Sequence, residues 1–461
     1  MKYTLTFLTA LLLAPLASLH AADAPKPATK PNIIFILADD LGYGDLSCQG
    51  QRFFKTPNID RMATEGVRFT QHYSGSAVCA PSRCSLMTGR DTGHSSIRGN
   101  GPHDLKPDPE DITIATLLRN AGYATAMIGK SCVNGNTQNA AVPNQKGFDH
   151  FLGTTDHRDA HKRFPPFVYK NGKTIPLPGN HGKTGDTYDL DLYTREALDF
   201  LDRQSPAKPF FLLMSCPVPH LQVSAPADSV ERARQEIGDA VLPFVKTPAN
   251  REAAIQYAAM VIRLDEATGS ILAKLKEKDL DQNTVVILTS DNGSHSEGGY
   301  DHRFLASNAP LRGGKRALYE GGIRVPFIVR WPLGISPNQL SPHVSAFWDF
   351  LPTACDLAGI DAPSGLQGLS YAPVLTGTGT QPTHESLYWE YQGRALLQHP
   401  WKVVKNDLAQ EDSYELYNLT DDLSETKDIA AEHPDIVAKM SAKLDEIWKD
   451  GKKKKETPET K

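Results

Sequence analysis

Four short stretches of this chain, residues 32–37, 124–128, 210–214 and 284–288, are apolar at nearly every position. A strand with one wet face alternates polar and apolar residues, so a run without alternation needs cover on both faces. Between these runs lie apolar residues at helical spacing: Ile114, Leu117, Leu118 and Ala121, then Tyr193, Ala197, Phe200 and Leu201, then the long segment 252–278. Alternation of this kind predicts the α/β class, with a large doubly wound, mostly parallel sheet flanked by helices. Residues 327–330 read as another core strand, and 350–357 as a helix that closes the large domain.

In open α/β sheets, ligands collect beyond the carboxyl ends of the strands. Asp39, Asp40, Lys130, His220, Asp291 and Asn292 all follow predicted strands, and Lys315 lies in a glycine-rich loop that can reach the same edge. Any one of them alone reads as a solvated loop residue; their shared position at strand ends is the argument for a site. Two successive aspartates and an Asp-Asn pair offer the hard oxygens that Ca²⁺ or Mg²⁺ prefers, although adjacent aspartates also serve as caps and turns.

Residues 79–90 read Cys-Ala-Pro-Ser-Arg-Cys-Ser-Leu-Met-Thr-Gly-Arg. Pro81 suits a first helical turn and Gly89 a helix end, so Cys79 is expected at a helix N-terminus, with Arg83 one turn on. Free N–H groups and a guanidinium make that a seat for an oxyanion. From the residues alone, a low-pKa cysteine beside an arginine leaves a thiolate nucleophile, a redox thiol and a bridge to nearby Cys84 open.

The remainder of the chain bounds these readings. A formal net charge of −5 over 461 residues gives no general attraction to nucleic acid, so an anion site has to be built locally. Met1, Lys2 and an apolar run through Leu19 have the order of a signal peptide, too short for a membrane span, which predicts export to the periplasm or exterior. Six scattered cysteines do not form a disulfide framework. A stretch rich in Pro, Gly and Thr over 363–382 predicts a boundary, after which 386–391, 401–405 and 414–416 read as short strands and 434–450 as a closing helix. The expected organisation is a signal peptide at 1–22, a linker at 23–30, a catalytic α/β domain at 31–375, a small C-terminal α+β domain with a short antiparallel sheet at 376–450, and a disordered basic tail at 451–461.

The pattern of Cys79, Pro81, Ser82, Arg83, Leu86, Thr88 and Gly89 resembles the signature of type I sulfatases, members of the alkaline phosphatase-like superfamily. The resemblance extends over about 31–430, including Thr56, Pro57, Asn58 and Asp60 early on and Glu415 to Leu419 near the end. It implies that a formylglycine-generating or sulfatase-maturating enzyme converts Cys79 to formylglycine. It also implies one Ca²⁺ per chain, held by Asp39, Asp40, Asp291, Asn292 and residue 79. In the roles it carries over, hydrated residue 79 is the nucleophile and Asp291 the base that activates it. Arg83 and Lys130 hold its hydroxyls, Lys315 and His220 contact the sulfate, and His220, near its normal pKa, protonates the leaving alcohol.

One departure stands out. The family commonly has a histidine two residues after the lysine that matches Lys130, and this chain has Cys132. The Ala160-His161 pair resembles a branch of the family that also lacks that histidine, which makes His161 the replacement and implies galactose or N-acetylgalactosamine 4-sulfates as substrates. Two other readings stand beside the sulfatase: a phosphatase or phosphonate monoester hydrolase of the same superfamily, and a catalytically impaired protein that binds sulfated glycans.

Overall fold

The computed structural model describes residues 30–134, 137–405 and 413–456. The expected signal peptide at 1–22 and all of the linker except Lys30 lie outside the described residues. Among those described, ten strands form one sheet: β1 (Asn32–Asp39), β2 (Val67–Tyr73), β3 (Ala124–Lys130), β4 (His150–Thr154), β5 (Phe167–Lys170), β6 (Lys173–Pro176), β7 (Phe210–Pro219), β8 (Thr284–Ser290), β9 (Phe327–Arg330) and β10 (Gln339–Ala346). Their order is β10-β2-β9-β8-β1-β7-β3-β4-β5-β6. Each neighbouring pair is parallel except those that involve β9 or β5. The predicted fold class is the observed one.

Every residue of β1, β7 and β8 is buried, as their unbroken apolar runs require. Successive side chains enter opposite layers. Ile34, Ile36, Leu212, Met214, Val286 and Leu288 pack beneath the helix Pro248–Glu277, which begins four residues before the expected 252, with Thr247 as its cap and Pro248 in its first turn. Ile33, Phe35, Leu37, Phe211, Leu213 and Ile287 pack on the other side, against Phe350, Leu351 and Ala354 of the helix Phe350–Ala358. The helices therefore lock the strands from both faces and fix where the strand ends project.

The expected ends of all four apolar runs move outward, β8 reaching Ser290. β1 runs on through Asp39, β3 through Lys130 and β7 through Pro219, so Asp39 and Lys130 are the last rungs of the ladder rather than the first residues of loops, and His220 follows directly on β7. The strands with no counterpart in the sequence reading lie toward the sheet margins. β2 and β10 are partly exposed, and β6 is exposed throughout, which dilutes the apolar signal.

A second sheet, β11 (Leu387–Glu390), β12 (Arg394–Gln398), β13 (Trp401–Lys405) and β14 (Tyr414–Asn418), is antiparallel throughout. One face, with Leu396, Val403 and Leu416, is covered by Met440 and Leu444 of the helix Pro434–Glu456. The other, with Trp389, Leu397 and Val404, packs on Tyr73, Ala77, Leu318, Ile323 and Trp348 of the large domain. The closing helix passes the expected end at Asp450 and continues to Glu456, and residues 457–461 of the expected tail lie outside the described residues. Lysines are good helix formers and are favoured at a helix C-terminus, where the macrodipole is negative.

The two domains also share a buried ionic cluster. Lys402 Nζ of β13 lies 2.9 Å from Glu320 Oε1 and 2.8 Å from Glu425 Oε1, and all three side chains are inaccessible to solvent. Lys402→Met should destabilise the protein by about 3–5 kcal/mol, because it leaves the buried Glu425 carboxyl without its cation and Glu320 with Arg324 alone. Denaturant titration checks this; a loss under about 1 kcal/mol would show the cluster to be energetically idle.

Candidate active site

Because β7 and β8 flank β1, the ends of three distant segments meet. Asp40 follows β1 with φ of 66°, a left-handed turn in which its backbone N–H donates to Asp291 Oδ1 at 3.1 Å. Asn292 Nδ2 donates to Asp40 Oδ1 at 2.6 Å. Gly293 makes room for this closure, since a Cβ there would fall 1.8 Å from the Gly321 carbonyl oxygen in the loop that carries Lys315. Gly129, at φ 109°, does the same for Lys130, with the Ser215 carbonyl 2.0 Å from where a Cβ would sit.

Cys79 opens the helix Cys79–Thr88, and Gly89 ends it in the left-handed conformation, as expected. Cys79 Sγ lies 3.5 Å from Asp39 Oδ1. Arg83, one turn on, donates from Nε to Asp291 Oδ2 at 2.8 Å and from a terminal nitrogen to Ser215 Oγ at 2.6 Å. Lys130 Nζ lies 2.7 Å from Asp39 Oδ2, and Lys315 Nζ 2.8 Å from Asp40 Oδ2. Three cations thus face Asp39, Asp40 and Asp291, all buried. Burial pushes Asp39 up, but the charges of Lys130, Arg83 and Lys315 outweigh it and hold its carboxyl well below the usual range. Burial raises Asp40 to about 6 and, together with the charge of Asp39, raises Asp291 to about 7.

Two observations bear on a metal. Ligand atoms of Asp39, Asp40, Cys79 and His220 all lie within 4.8 Å of one another. Asn292 Oδ1 is buried and has no hydrogen-bond partner among the described residues. An orphaned amide oxygen amid three carboxylates is a hard-oxygen set, which fits a cation of the calcium type.

The sulfatase family profile matches residues 31–360, and the N-sulphoglucosamine sulphohydrolase C-terminal profile matches 313–450. The chain belongs to the sulfatase family. It is 32% identical over 418 residues to the N-acetylgalactosamine-6-sulfatase of Canis lupus familiaris, covering 84% of this chain and 73% of that protein. It is 34% identical over 447 residues to the steryl-sulfatase of Rattus norvegicus, covering 83% and 76%. The crystal structure of Ps i-CgsB in complex with k-i-k-neocarrahexaose superposes with a TM-score of 0.74 at 26% identity, over 91% of this chain and 93% of that one. This sulfatase is a sulfuric ester hydrolase of the predicted family.

Two expectations about protonation need correction. The Cys79 thiol is not a low-pKa group: burial pushes it far up, and the nearby Lys130 and Lys315 do not compensate. A native thiolate nucleophile is thereby disfavoured. A bridge to Cys84 is absent too; the Cys84 thiol lies 3.0 Å from Ser95 Oγ, and all six cysteines are free. Nor is His220 near its normal pKa, because burial and then the Lys315 charge hold it well below. Its Nε2 lies against the Lys315 ammonium and 3.2 Å from Asp40 Oδ2, while Nδ1 has no partner among the described residues.

Cys132, where a histidine was expected, packs its sulfur 3.5 Å from an Arg83 terminal nitrogen, so it lines the site without replacing a base. The histidines that do arrive come from the loop after β4. His161 stacks on His220 with ring centroids 4.5 Å apart, and burial together with Lys130 lowers its pKa to about 4. His157 lies deeper, held neutral by burial, Lys130 and Arg83. Ser215, His295 and Glu297 were missed by the sequence reading. His295 Nε2 lies 3.1 Å from the Pro219 carbonyl, and Glu297 Oε2 is 3.8 Å from Lys315 Nζ. For His295 the available signal was its closeness to the Asp291-Asn292 pair; Ser215 had none, since it lies within an apolar strand.

Proposed function

We propose that this sulfatase is exported, binds Ca²⁺ through Asp39, Asp40, Asp291 and Asn292, and uses formylglycine at residue 79 to hydrolyse sulfate esters of carbohydrates. The observation that carries the reading is the closure of that oxygen set, with its orphaned Asn292 Oδ1, onto Cys79, Arg83 and Lys130. When bound, the cation supplies charge to neutralise sulfate oxygens, and the aldehyde hydrate supplies an oxygen nucleophile.

The chain's own residues do the rest. Arg83 and Lys130, fixed by Asp291 and Asp39, orient the group at residue 79. Asp291 accepts its proton; both its carboxyl oxygens are held in place, Oδ1 by the Asp40 N–H and Oδ2 by Arg83. Lys315 and His220 receive the sulfate. A sulfate's negative charge opposes the Lys315 field that keeps His220 neutral, so His220 gains its proton as substrate binds and can pass it to the leaving alcohol. His161, already neutral, is in the form a base needs for the release of sulfate.

The favoured substrates are galactose or N-acetylgalactosamine sulfates. The 4-position follows from the Ala160-His161 resemblance, and the 6-position is the one named for the canine relative. The test is inorganic sulfate release from 4- and 6-sulfated forms of both sugars by calcium-loaded protein whose residue 79 has been verified as converted. His161→Ala should slow turnover by roughly 10²-fold, the usual scale of general acid–base catalysis. Unchanged turnover would make His161 a loop residue and pass the role to His157. Faster cleavage of phosphate or phosphonate monoesters than of any sulfate ester would overturn the functional reading.

A further inference from the structure

Beside the catalytic lysine a second cleft opens, with a volume of about 320 Å³, within the range of small-ligand sites. One wall is the segment 315–319, and the other is formed by the turn at 391–393 between β11 and β12 and by the end of β13. Lys315, Arg316 and Lys405 line it, with Tyr319, Tyr391 and Gln392 completing its polar surface; Asp40 and Glu297, which pair with Lys315 and Arg316, are not among its lining residues. A chain with a net charge of −5 has no general excess of cations, so this grouping is local.

The walls are also held in costly conformations. Arg316 has φ of 76° and Gln392 has φ of 47°, left-handed values that non-glycine residues adopt at a cost and that cluster at ligand clamps. Arg316 is pinned by its backbone N–H, which donates to the Ala77 carbonyl at 2.8 Å, two residues before Cys79. Its guanidinium is paired with Glu297 yet remains 54% exposed. Glu297 in turn lies 3.8 Å from Lys315 and 3.9 Å from His220, which ties the cleft to the groups that receive the scissile sulfate.

Building on the sulfatase reading above, we propose that this cleft is a subsite for a second anionic group, a sulfate or carboxylate, on the sugar next to the one being desulfated. Arg316 is its principal contact, Lys405 adds charge, and Tyr391 offers a face for the ring. The natural substrate class is then a glycan with closely spaced anionic groups, and the subsite sets specificity without touching the reacting atoms.

The experiment compares three substrates with the same scissile sulfate: a neutral disaccharide, one with a second sulfate on the adjacent sugar, and one with a uronate there. For wild type, kcat/KM for one or both doubly anionic substrates should exceed that for the first by roughly tenfold, the scale of one charge-assisted contact, through KM. Arg316→Gln should remove most of that preference, Arg316→Lys should restore part of it, and Lys405→Gln should reduce it less. Which anionic arm responds identifies the group. Calorimetric titration of the same disaccharides into Cys79→Ala protein should give the same ranking without turnover, so it reads the subsite even if the catalytic reading fails. An equal preference in wild type and Arg316→Gln, or no preference in either measurement, would overturn the proposal.

Discussion

Cys79→Ala should abolish sulfate release, with a loss on the order of 10⁴-fold or more, the scale seen when an enzyme loses its nucleophile. Cys79→Ser should fare no better in protein whose residue 79 is verified as unconverted serine, since one hydroxyl cannot do the work of the two on an aldehyde hydrate. The fold should survive: the thiol is small, and its polar contact is one at 3.5 Å to Asp39, so the thermal midpoint should move by no more than about 3 °C. Cys84→Ala is the contrasting variant, because that thiol faces Ser95 rather than the acidic cluster and its loss should leave most turnover intact. Peptide mass spectrometry of active wild-type protein should show the change from thiol to aldehyde at residue 79. Full activity from protein carrying an unmodified Cys79 would refute the assignment of nucleophile.

Removing calcium should have the second-largest effect. The Asn292 amide donates to Asp40, whose N–H donates to Asp291, and Asp39 lies beside Cys79 in the same buried cluster; a bound divalent cation both relieves the repulsion among these carboxyls and adds positive charge where a sulfate must sit. Chelation should therefore cut turnover on the order of 10³-fold, in line with several kcal/mol of lost charge stabilisation. Stability should fall in parallel: a ligand at 100 times its Kd contributes about 2.7 kcal/mol, worth a few degrees in Tm for a chain of this size. Ca²⁺ should restore both quantities, and Mg²⁺ should do so less well, since it demands a tighter octahedron. Asn292→Ala should raise the calcium concentration needed for half-recovery. Undiminished turnover in protein verified by elemental analysis to be metal-free would show the cluster to be structural.

Much of the site was legible because its residues share one local rule. Asp39, Lys130, His220 and Asp291 each end or follow an apolar run, and in a parallel sheet the carboxyl ends of such runs lie along one edge. The helix start at Cys79 was equally local, written in Pro81 and Gly89. The margins of the sheet were not legible, since β2, β6 and β10 are exposed or half-exposed and lack the continuous apolar signal of β1, β7 and β8.

The sequence by itself determined the fold class, the edge at which chemistry gathers and the identity of most groups there, because strand burial and helix ends are set by neighbouring residues. Only the tertiary structure decided which of those groups touch. That β7 and β8 flank β1, that Cys132 packs on Arg83, and that His161 stacks on His220 all depend on segments far apart in the chain. Protonation belongs to the same category. The cysteine expected to be acidic is buried and protonated, and the histidine expected near its normal pKa is held neutral, because desolvation and the fields of Lys130 and Lys315 act through space rather than along the chain.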